Sequence, residues 1–551
     1  MTEIAATAPA LAAGERIGGH LVAECLQALG AELAFGVPGV HSLSIWDGLR
    51  GGPLRSIGMR TELCAGFAAD GYARAGGRPA ALLLSTGPGA LNSLTAIMEA
   101  SSAHVPVVAI SSQVPRALLG RGRGFLHELS DQLASFAPLV KQARRAESAE
   151  ALPELLAQAW RVAQTAPAGP VFLEVPVDVL NDTTNVPRVT ELDGTPPPPR
   201  AARGESVAAA ARLLAQARRP VLWAGGGVVR AGAIAELRAI AERLGAPVAT
   251  TYMGKGALPA DHPLSAGSGC DEAAFQELLG GADVVLAIGT ELGAETTGQY
   301  ALRFSGQLIH LDAAPERIGA TYPALGLVGD AGATLRALLD ALPDRRDGTD
   351  AEAAVAALRE RIARGLDVQE RPVERGLLDA IRAALPRTAA TAWDMTILAY
   401  WAAAHFPVLE AGRFLYPLGS GTLGYAWPAA LGARLALGDE APTLAVAGDG
   451  GVLYALQELA SARAHGIAAK LLVVDDGAYG ILAEYQRDTY RRTHAIDLGE
   501  PDFAALCAGF GVPVRAGGPD ELAAHLEWAL GVDGPAAVVI RAHLTAARPT
   551  V

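Results

Sequence analysis

Along the chain, short runs of consecutive apolar residues alternate with longer stretches in which Ala and Leu recur at helical spacing. Ala80–Ser85, Val105–Ser111, Val171–Val175, Val221–Ala224, Val284–Ile288, Leu308–Leu311, Thr443–Ala447 and Lys470–Val474 are such runs. They are continuous rather than alternating, so they predict strands buried on both faces. Helical patterns between them predict parallel sheets covered by helices on both sides. The expected fold class is α/β, with doubly wound parallel sheets.

Two breaks divide the pattern. Thr183 to Gly204 contains Pro196-Pro197-Pro198-Pro199, an extended and semi-rigid spacer. Pro343 to Gly348 is the second, followed by a charged helical stretch to Arg371. A chain of 551 residues exceeds one hydrophobic core. Three doubly wound domains are therefore expected, at 1–183, 204–343 and 365–551. No short-period repeat is visible.

Bulk properties exclude more than they identify. A net charge of −13 argues against nucleic acid or an anionic membrane as the main partner. No stretch of about 20 apolar residues is free of charge, so no membrane span is expected. The first fifteen residues carry Glu3 and Glu15 and lack a basic start, so no signal peptide is expected. Cys25, Cys64, Cys270 and Cys507 form no CxxC pair. Reduced core thiols in a cytoplasmic protein are expected, rather than a disulfide framework or zinc site.

The candidate chemistry begins where Thr443–Ala447 runs into Gly448-Asp449-Gly450-Gly451, ahead of a helical pattern from Tyr454. Glycines at the carboxyl end of a buried strand let backbone amides approach phosphate. Bare phosphate would repel Asp449, but a magnesium ion between them would bind both. The next strand delivers Asp475-Asp476-Gly477-Ala478-Tyr479-Gly480, after an interval (451–474) that holds one helix and one strand. Asp476 and the Ala478 carbonyl would complete the protein's share of the metal ligands, with Asp475 facing the local backbone. Taken alone, the segment could equally be an ordinary turn and an acidic loop.

This arrangement resembles the signature of thiamine diphosphate enzymes: a GDG, some two dozen residues, then a paired Asn. Asp475-Asp476 departs from that pair. The segment from Arg60 to Arg74, in which Glu62 opens a helix of small apolar residues, is similar to the family's activating-carboxylate segment. Outside that context Glu62 would read as a helix-start charge favoured by the dipole. The family is the acetolactate synthase and pyruvate decarboxylase superfamily, and the resemblance runs from about Ile17 to about Ala542. It implies a pyrimidine-binding, a central and a pyrophosphate-binding domain.

The resemblance implies thiamine diphosphate and magnesium as cofactors. Glu62 would hold the pyrimidine N1′, in a buried setting that raises its pKa. Further contacts would come from the Pro38-Gly39 turn, from Thr86 to Asn92, from Gly421 through its carbonyl, from Leu423 beneath the coenzyme, and from Thr396. The clamp itself would comprise Gly448, Asp449, Gly450, Gly451, Asp476, Ala478 and Tyr479. Ala224-Gly225-Gly226-Gly227-Val228 is not GxGxxG, so a scaffold is expected in the central domain rather than FAD. Because the coenzyme in this family lies between two subunits, a homodimer or homotetramer is implied.

The substrate implied is a 2-oxo acid, decarboxylated to a coenzyme-bound enamine. Carboligation of the acetolactate synthase type would follow, or alternatively release of an aldehyde. Pyruvate decarboxylase-type proteins place Asp, a His pair and Glu where this chain has Val40, a single His127 and Leu482. Gly39-Val40-His41 and Leu126-His127-Glu128-Leu129 look more like a branch of guanidino-2-oxo acid decarboxylases and related carboligases. Glu128 or Glu484 would then pair with a cationic substrate tail. His127 also reads as an ordinary loop histidine. A catalytically silent structural or regulatory subunit is the alternative of another class.

Overall fold

The computed structural model describes residues 15–344 and 350–550. The predicted acidic start, apart from Glu15, and residues 345–348 of the second linker lie outside the described residues.

Three six-stranded sheets, parallel throughout, form the molecule. The first holds β1 (Leu33–Gly36), β2 (Arg55–Gly58), β3 (Ala80–Leu84), β4 (Val107–Gln113), β5 (Gln142–Arg145) and β6 (Val171–Pro176), in the order β2-β1-β3-β4-β6-β5. The second holds β7 (Pro220–Ala224), β8 (Val248–Thr250), β9 (Ser265–Gly267), β10 (Val284–Ile288), β11 (Gln307–Asp312) and β12 (Leu325–Val328), in the order β12-β11-β10-β7-β8-β9. The third holds β13 (Ala390–Trp393), β14 (Phe414–Leu415), β15 (Thr443–Gly448), β16 (Lys470–Asp475), β17 (Val514–Gly517) and β18 (Ala536–Arg541), in the order β14-β13-β15-β16-β18-β17. Each apolar run named from the sequence is one of these strands, its ends shifted by at most two residues.

The first and third sheets have the same internal strand order. This repeat is topological and leaves no short-period trace in the sequence. The helices Glu62–Gly76 and Ala426–Leu437 occupy corresponding places and pack on each other. Their approach is close enough that a Cβ on Gly71 would collide with the Ala429 backbone, and one on Gly432 with the Ala68 carbonyl. One hydrophobic core is continuous across both units, with Phe67, Tyr72, Tyr425 and Trp427 in it. A second joins the central unit to the third.

Residues 184–203 form neither helix nor strand, in keeping with the polyproline spacer. The charged stretch after the second break forms the helices Ala351–Val368 and Pro372–Ala384. In the central unit the amides of Gly225 and Gly227 donate to the carbonyls of Ile288 and Gly289 at 2.8 and 2.9 Å. These glycines pack two turns together at the switch between β7 and β10, so two of the three amides in the turn are already engaged. All four cysteines are buried free thiols. Among the described residues, no helix is long and apolar enough to cross a membrane.

Candidate active site

The clamp is built at the carboxyl ends of β15 and β16, where ligands bind in open parallel sheets. β15 is buried throughout and stops at Gly448. Asp449 opens a single helical turn, Asp449–Val452, and the longer helix starts only at Glu458. Asp449 is 3 % exposed. Its Oδ1 accepts the Gly450 amide and its Oδ2 the Gly477 amide, each at 2.8 Å. Gly477, at φ +78°, turns the chain off β16. Asp475 Oδ1 accepts the Gly477 amide at 3.2 Å, and Asp476 Oδ1 accepts the Ala478 amide at 3.3 Å.

Burial raises the Asp449 carboxyl to about 7, and the Asp476 charge adds to that shift. Burial raises Asp476 as well. The groups that favour ionised Asp449 are two backbone amides. A buried and a half-buried carboxylate side by side, the buried one held by backbone amides alone, favour a cation between them, and the oxygen donor set fits magnesium. Among the described residues, no three His, Cys, Asp or Glu side chains converge on one metal position, so a metal here would take its other oxygens from outside these two carboxylates. The Ala478 carbonyl already accepts the Gly480 amide at 2.9 Å, which leaves it one lone pair.

Thr396 and Tyr479 frame this clamp. A Cβ on Gly448 would lie 2.9 Å from Thr396 Oγ1, and one on Gly450 would lie 2.6 Å from the Tyr479 ring. Both glycines therefore hold space beside side chains predicted to contact the coenzyme. Gly421, at φ +65°, is exposed, and Leu423 is half-buried two residues on. Both amide contacts of Gly424 go to Asp394, at 3.1 Å to each carboxylate oxygen. Asp394 is buried, which pushes its carboxyl up to about 6.

The other half of the candidate site gathers around residues 85–89, after β3. Glu62 is the first residue of its helix, capped by the Thr61 hydroxyl, which accepts the Cys64 amide at 3.2 Å. Glu62 is half-buried rather than enclosed as expected. Asn92 Nδ2 donates to Glu62 Oε2 at 3.3 Å. A Cβ on Gly89 would lie 3.1 Å from Glu62 Oε1. Gly87, at φ +62°, has the His127 backbone against it, whose carbonyl oxygen would lie 2.5 Å from a Cβ. Residues 88–92 form a short helix, Pro88–Asn92, which Pro88 starts with the φ a helix needs. The Thr86 hydroxyl is turned away from this opening and shares a hydrogen bond with Ser112 Oγ at 2.9 Å. Pro38 is exposed, and Gly39 packs on Ser85.

Three groups of consequence here were given no role of their own from the sequence, although His41 lies in the Gly39-Val40-His41 segment. His41 is 1 % exposed and contacts the His127 ring edge-on, with centroids 5.2 Å apart. Glu458 accepts the amides of Arg60 and Thr61. Glu99 accepts the Ser420 amide at 2.7 Å. Both glutamates are fully buried. Their signal in the sequence was a carboxylate within an otherwise apolar helical stretch, which a charged helix edge would equally produce.

Comparison with known proteins agrees with this geometry. Residues 16–135 match the family model of the thiamine pyrophosphate enzyme N-terminal TPP binding domain. Residues 207–338 match that of the central domain, and residues 394–540 that of the C-terminal TPP binding domain. The chain is 40% identical to a probable 2-ketoarginine decarboxylase of Pseudomonas aeruginosa, over 95% of this chain and 93% of that protein. It is 33% identical to a probable acetolactate synthase large subunit of Methanocaldococcus jannaschii, over 93% and 90% of the two chains. With the acetolactate synthase large subunit of Haemophilus influenzae the identity is 30%, over 94% and 92%.

Proposed function

The chain belongs to the thiamine pyrophosphate enzyme family, and on that premise we propose that it decarboxylates a 2-oxo acid with thiamine diphosphate and magnesium and releases the aldehyde. The single observation that carries the reading is Asp449, a buried carboxylate pushed up to about 7, with the half-buried Asp476 beside it at the ends of two neighbouring strands. Asp449, Asp476 and the Ala478 carbonyl would hold the magnesium, while Gly448, Gly450, Gly451, Thr396 and Tyr479 would surround the diphosphate. Glu62, supported by Asn92, would hold a proton at the pyrimidine N1′. Pro38, Gly39, Thr86, Gly421 and Leu423 would shape the rest of the coenzyme cleft. When bound, the coenzyme supplies the carbon nucleophile and electron sink that decarboxylation requires.

The substrate we favour carries a cationic tail. Glu128 Oε2 accepts the amides of Gly124 and Phe125 at 2.8 and 3.1 Å, while its Oε1 is buried without a partner. An unpartnered carboxylate oxygen beside His127 suits a guanidinium, which binds carboxylates by charge-assisted hydrogen bonds. Glu484 engages one oxygen with the Ala546 amide at 3.0 Å and is the second candidate. The 40% identical relative is named for a 2-keto acid of this kind. Carboligation is the second reading, favoured by the acetolactate synthases that match over nearly the whole chain.

A second copy of the chain completes each site in this reading. Leu91 and Met98 are 37% and 44% exposed on the Glu62 side, and Leu453 and Tyr454 are 39% and 48% exposed next to Asp449. Covering these apolar side chains would also exclude water from the coenzyme. The buried free thiols suit the reducing cytoplasm. The test is turnover of 5-guanidino-2-oxopentanoate against pyruvate, with products identified by mass spectrometry. Faster release of 4-guanidinobutanal than of acetaldehyde supports the reading; acetolactate from pyruvate as the main product overturns it in favour of carboligation.

A further inference from the structure

The central unit buries a lysine away from any acid. Lys255 follows β8 and is 7 % exposed. Its amine donates to Ser268 Oγ at 2.7 Å and to the Ala403 carbonyl at 3.0 Å. Ser268 donates its own proton to that carbonyl at 2.8 Å, so its oxygen accepts from the amine. Two acceptors satisfy a neutral amine. An ammonium has three N–H groups, and among the described residues the third finds no acceptor. The Phe414 ring lies 5.3 Å from Nζ.

Lys255 and Ser268 line a cavity of about 290 Å³ at the carboxyl ends of β8 and β9, on one edge of the central sheet. Open parallel sheets bind ligands at such ends, and the volume is near the lower limit for small-molecule sites. The helix Ala351–Val368 contributes Arg359, Ile362 and Leu366, and Leu258, Phe406 and Val408 extend the apolar lining. Arg359 donates to the carbonyls of Ala260, His262 and Ser265 at 2.8, 3.0 and 2.6 Å, which are dipoles and not charges.

Among the described residues, no Asp or Glu lines the cavity. The carboxylates around it are engaged elsewhere. Glu272 accepts the Thr550 amide at 2.6 Å and stands 3.3 Å from His405 Nε2. Asp261, whose charge acts on Arg359, is bound to Arg387 at 2.6 Å. The group whose charge acts on Lys255 is the Cys270 thiol, and burial pushes that thiol up, which keeps it neutral. Two basic side chains therefore share an apolar cavity with no counter-anion, and a buried charge needs one.

We propose that this cavity binds a small monocarboxylate with a short aliphatic body, its carboxylate on the Lys255 amine and its body against the apolar walls. The bound carboxylate accepts the third N–H of the ammonium, and Arg359 supplies the second positive charge of the cavity. The inference is independent of the coenzyme reading, because no residue of the clamp or of the Glu62 segment takes part. Burial holds the free amine down at about 7. The carboxylate binds the protonated form, so above that value binding takes up a proton and weakens as pH rises.

The test is calorimetric titration of the full chain, with thiamine diphosphate and magnesium present, using 3-methylbutanoate as the probe. Repeating it in buffers of different ionisation enthalpy counts the protons. Uptake of about one proton per acid bound is expected above pH 8, with affinity falling about tenfold between pH 8 and 9. Lys255→Met keeps the volume and removes the amine, and it should weaken binding by about tenfold or more. Arg359→Gln should weaken it less. Inorganic phosphate, which has no apolar body, should bind more weakly than 3-methylbutanoate. Binding retained in Lys255→Met would place the acid elsewhere and overturn the inference. An affinity indifferent to pH, phosphate bound as tightly as the acid, or no binding of 3-methylbutanoate at millimolar concentration would each overturn it as well.

Discussion

The carboxylate of Glu458, on the third sheet unit, accepts the backbone amides of Arg60 and Thr61 on the first, at 3.0 and 3.2 Å. The next residue along the chain is Glu62. The mirrored relationship joins Glu99 to Ser420, which precedes Gly421. Each unit thus reaches across with a buried glutamate to fix the other's segment proposed to face the coenzyme. Glu458 also takes the Ser461 hydroxyl at 2.6 Å, so its carboxylate is held on both sides.

Replacement Glu458→Gln should therefore act on Glu62 without touching the coenzyme. An amide keeps only one acceptor oxygen, so the Oε2 that takes the Ser461 hydroxyl and a second contact from the Arg60 amide is lost. A loss of about 1–3 kcal/mol in stability is expected. Turnover should fall further than the melting point alone explains, because misplacement at a reacting centre is costly in rate. Comparing turnover of folded protein with thermal unfolding checks this.

Replacement Asp449→Asn should abolish magnesium-dependent binding of thiamine diphosphate, with affinity down by roughly 100-fold or more, while the coenzyme-free chain gains stability. The gain follows from removing a buried carboxylate crowded by Asp476. Calorimetric titration with the coenzyme and a thermal melt without it read the two effects separately. Loss of coenzyme binding together with a large loss of stability would point to a structural role for Asp449.

Lys255 gives a pH prediction away from the site. It is 7 % exposed, and its amine donates to Ser268 Oγ at 2.7 Å and to the Ala403 carbonyl at 3.0 Å. Burial pushes it down to about 7. Between that value and the ordinary lysine range, the unfolded chain binds a proton that the folded chain does not. Stability from this group is therefore full at high pH and is lost as pH falls toward 7. Lys255→Met should raise the melting point most near pH 7, and the gain should shrink toward pH 10. A gain independent of pH would contradict the assignment.

The sequence carried the fold class well because buried parallel strands leave continuous apolar runs, such as Thr443–Ala447 and Val284–Ile288. It also carried the meeting of Asp449 with the segment after the next strand, since neighbouring parallel strands end at the same sheet edge. It could not show what depends on contacts between distant segments. Glu458 and Arg60 meet across two sheet units, and His41 and His127 are brought together only by folding. The duplicated topology of the first and third sheets was hidden for the same reason: it lies in strand order, not in residue identity.

The central claim is that Glu62 and the Asp449–Asp476 clamp serve one coenzyme in a 2-oxo acid decarboxylase. Its most direct test is carbon dioxide release from 5-guanidino-2-oxopentanoate by coenzyme-free protein, reconstituted with thiamine diphosphate, magnesium, both or neither, alongside Glu62→Gln. The account predicts release only with both present, and a loss of about 100-fold or more in Glu62→Gln, which should still bind the coenzyme. Equal release without thiamine diphosphate, or undiminished release by Glu62→Gln, would contradict it.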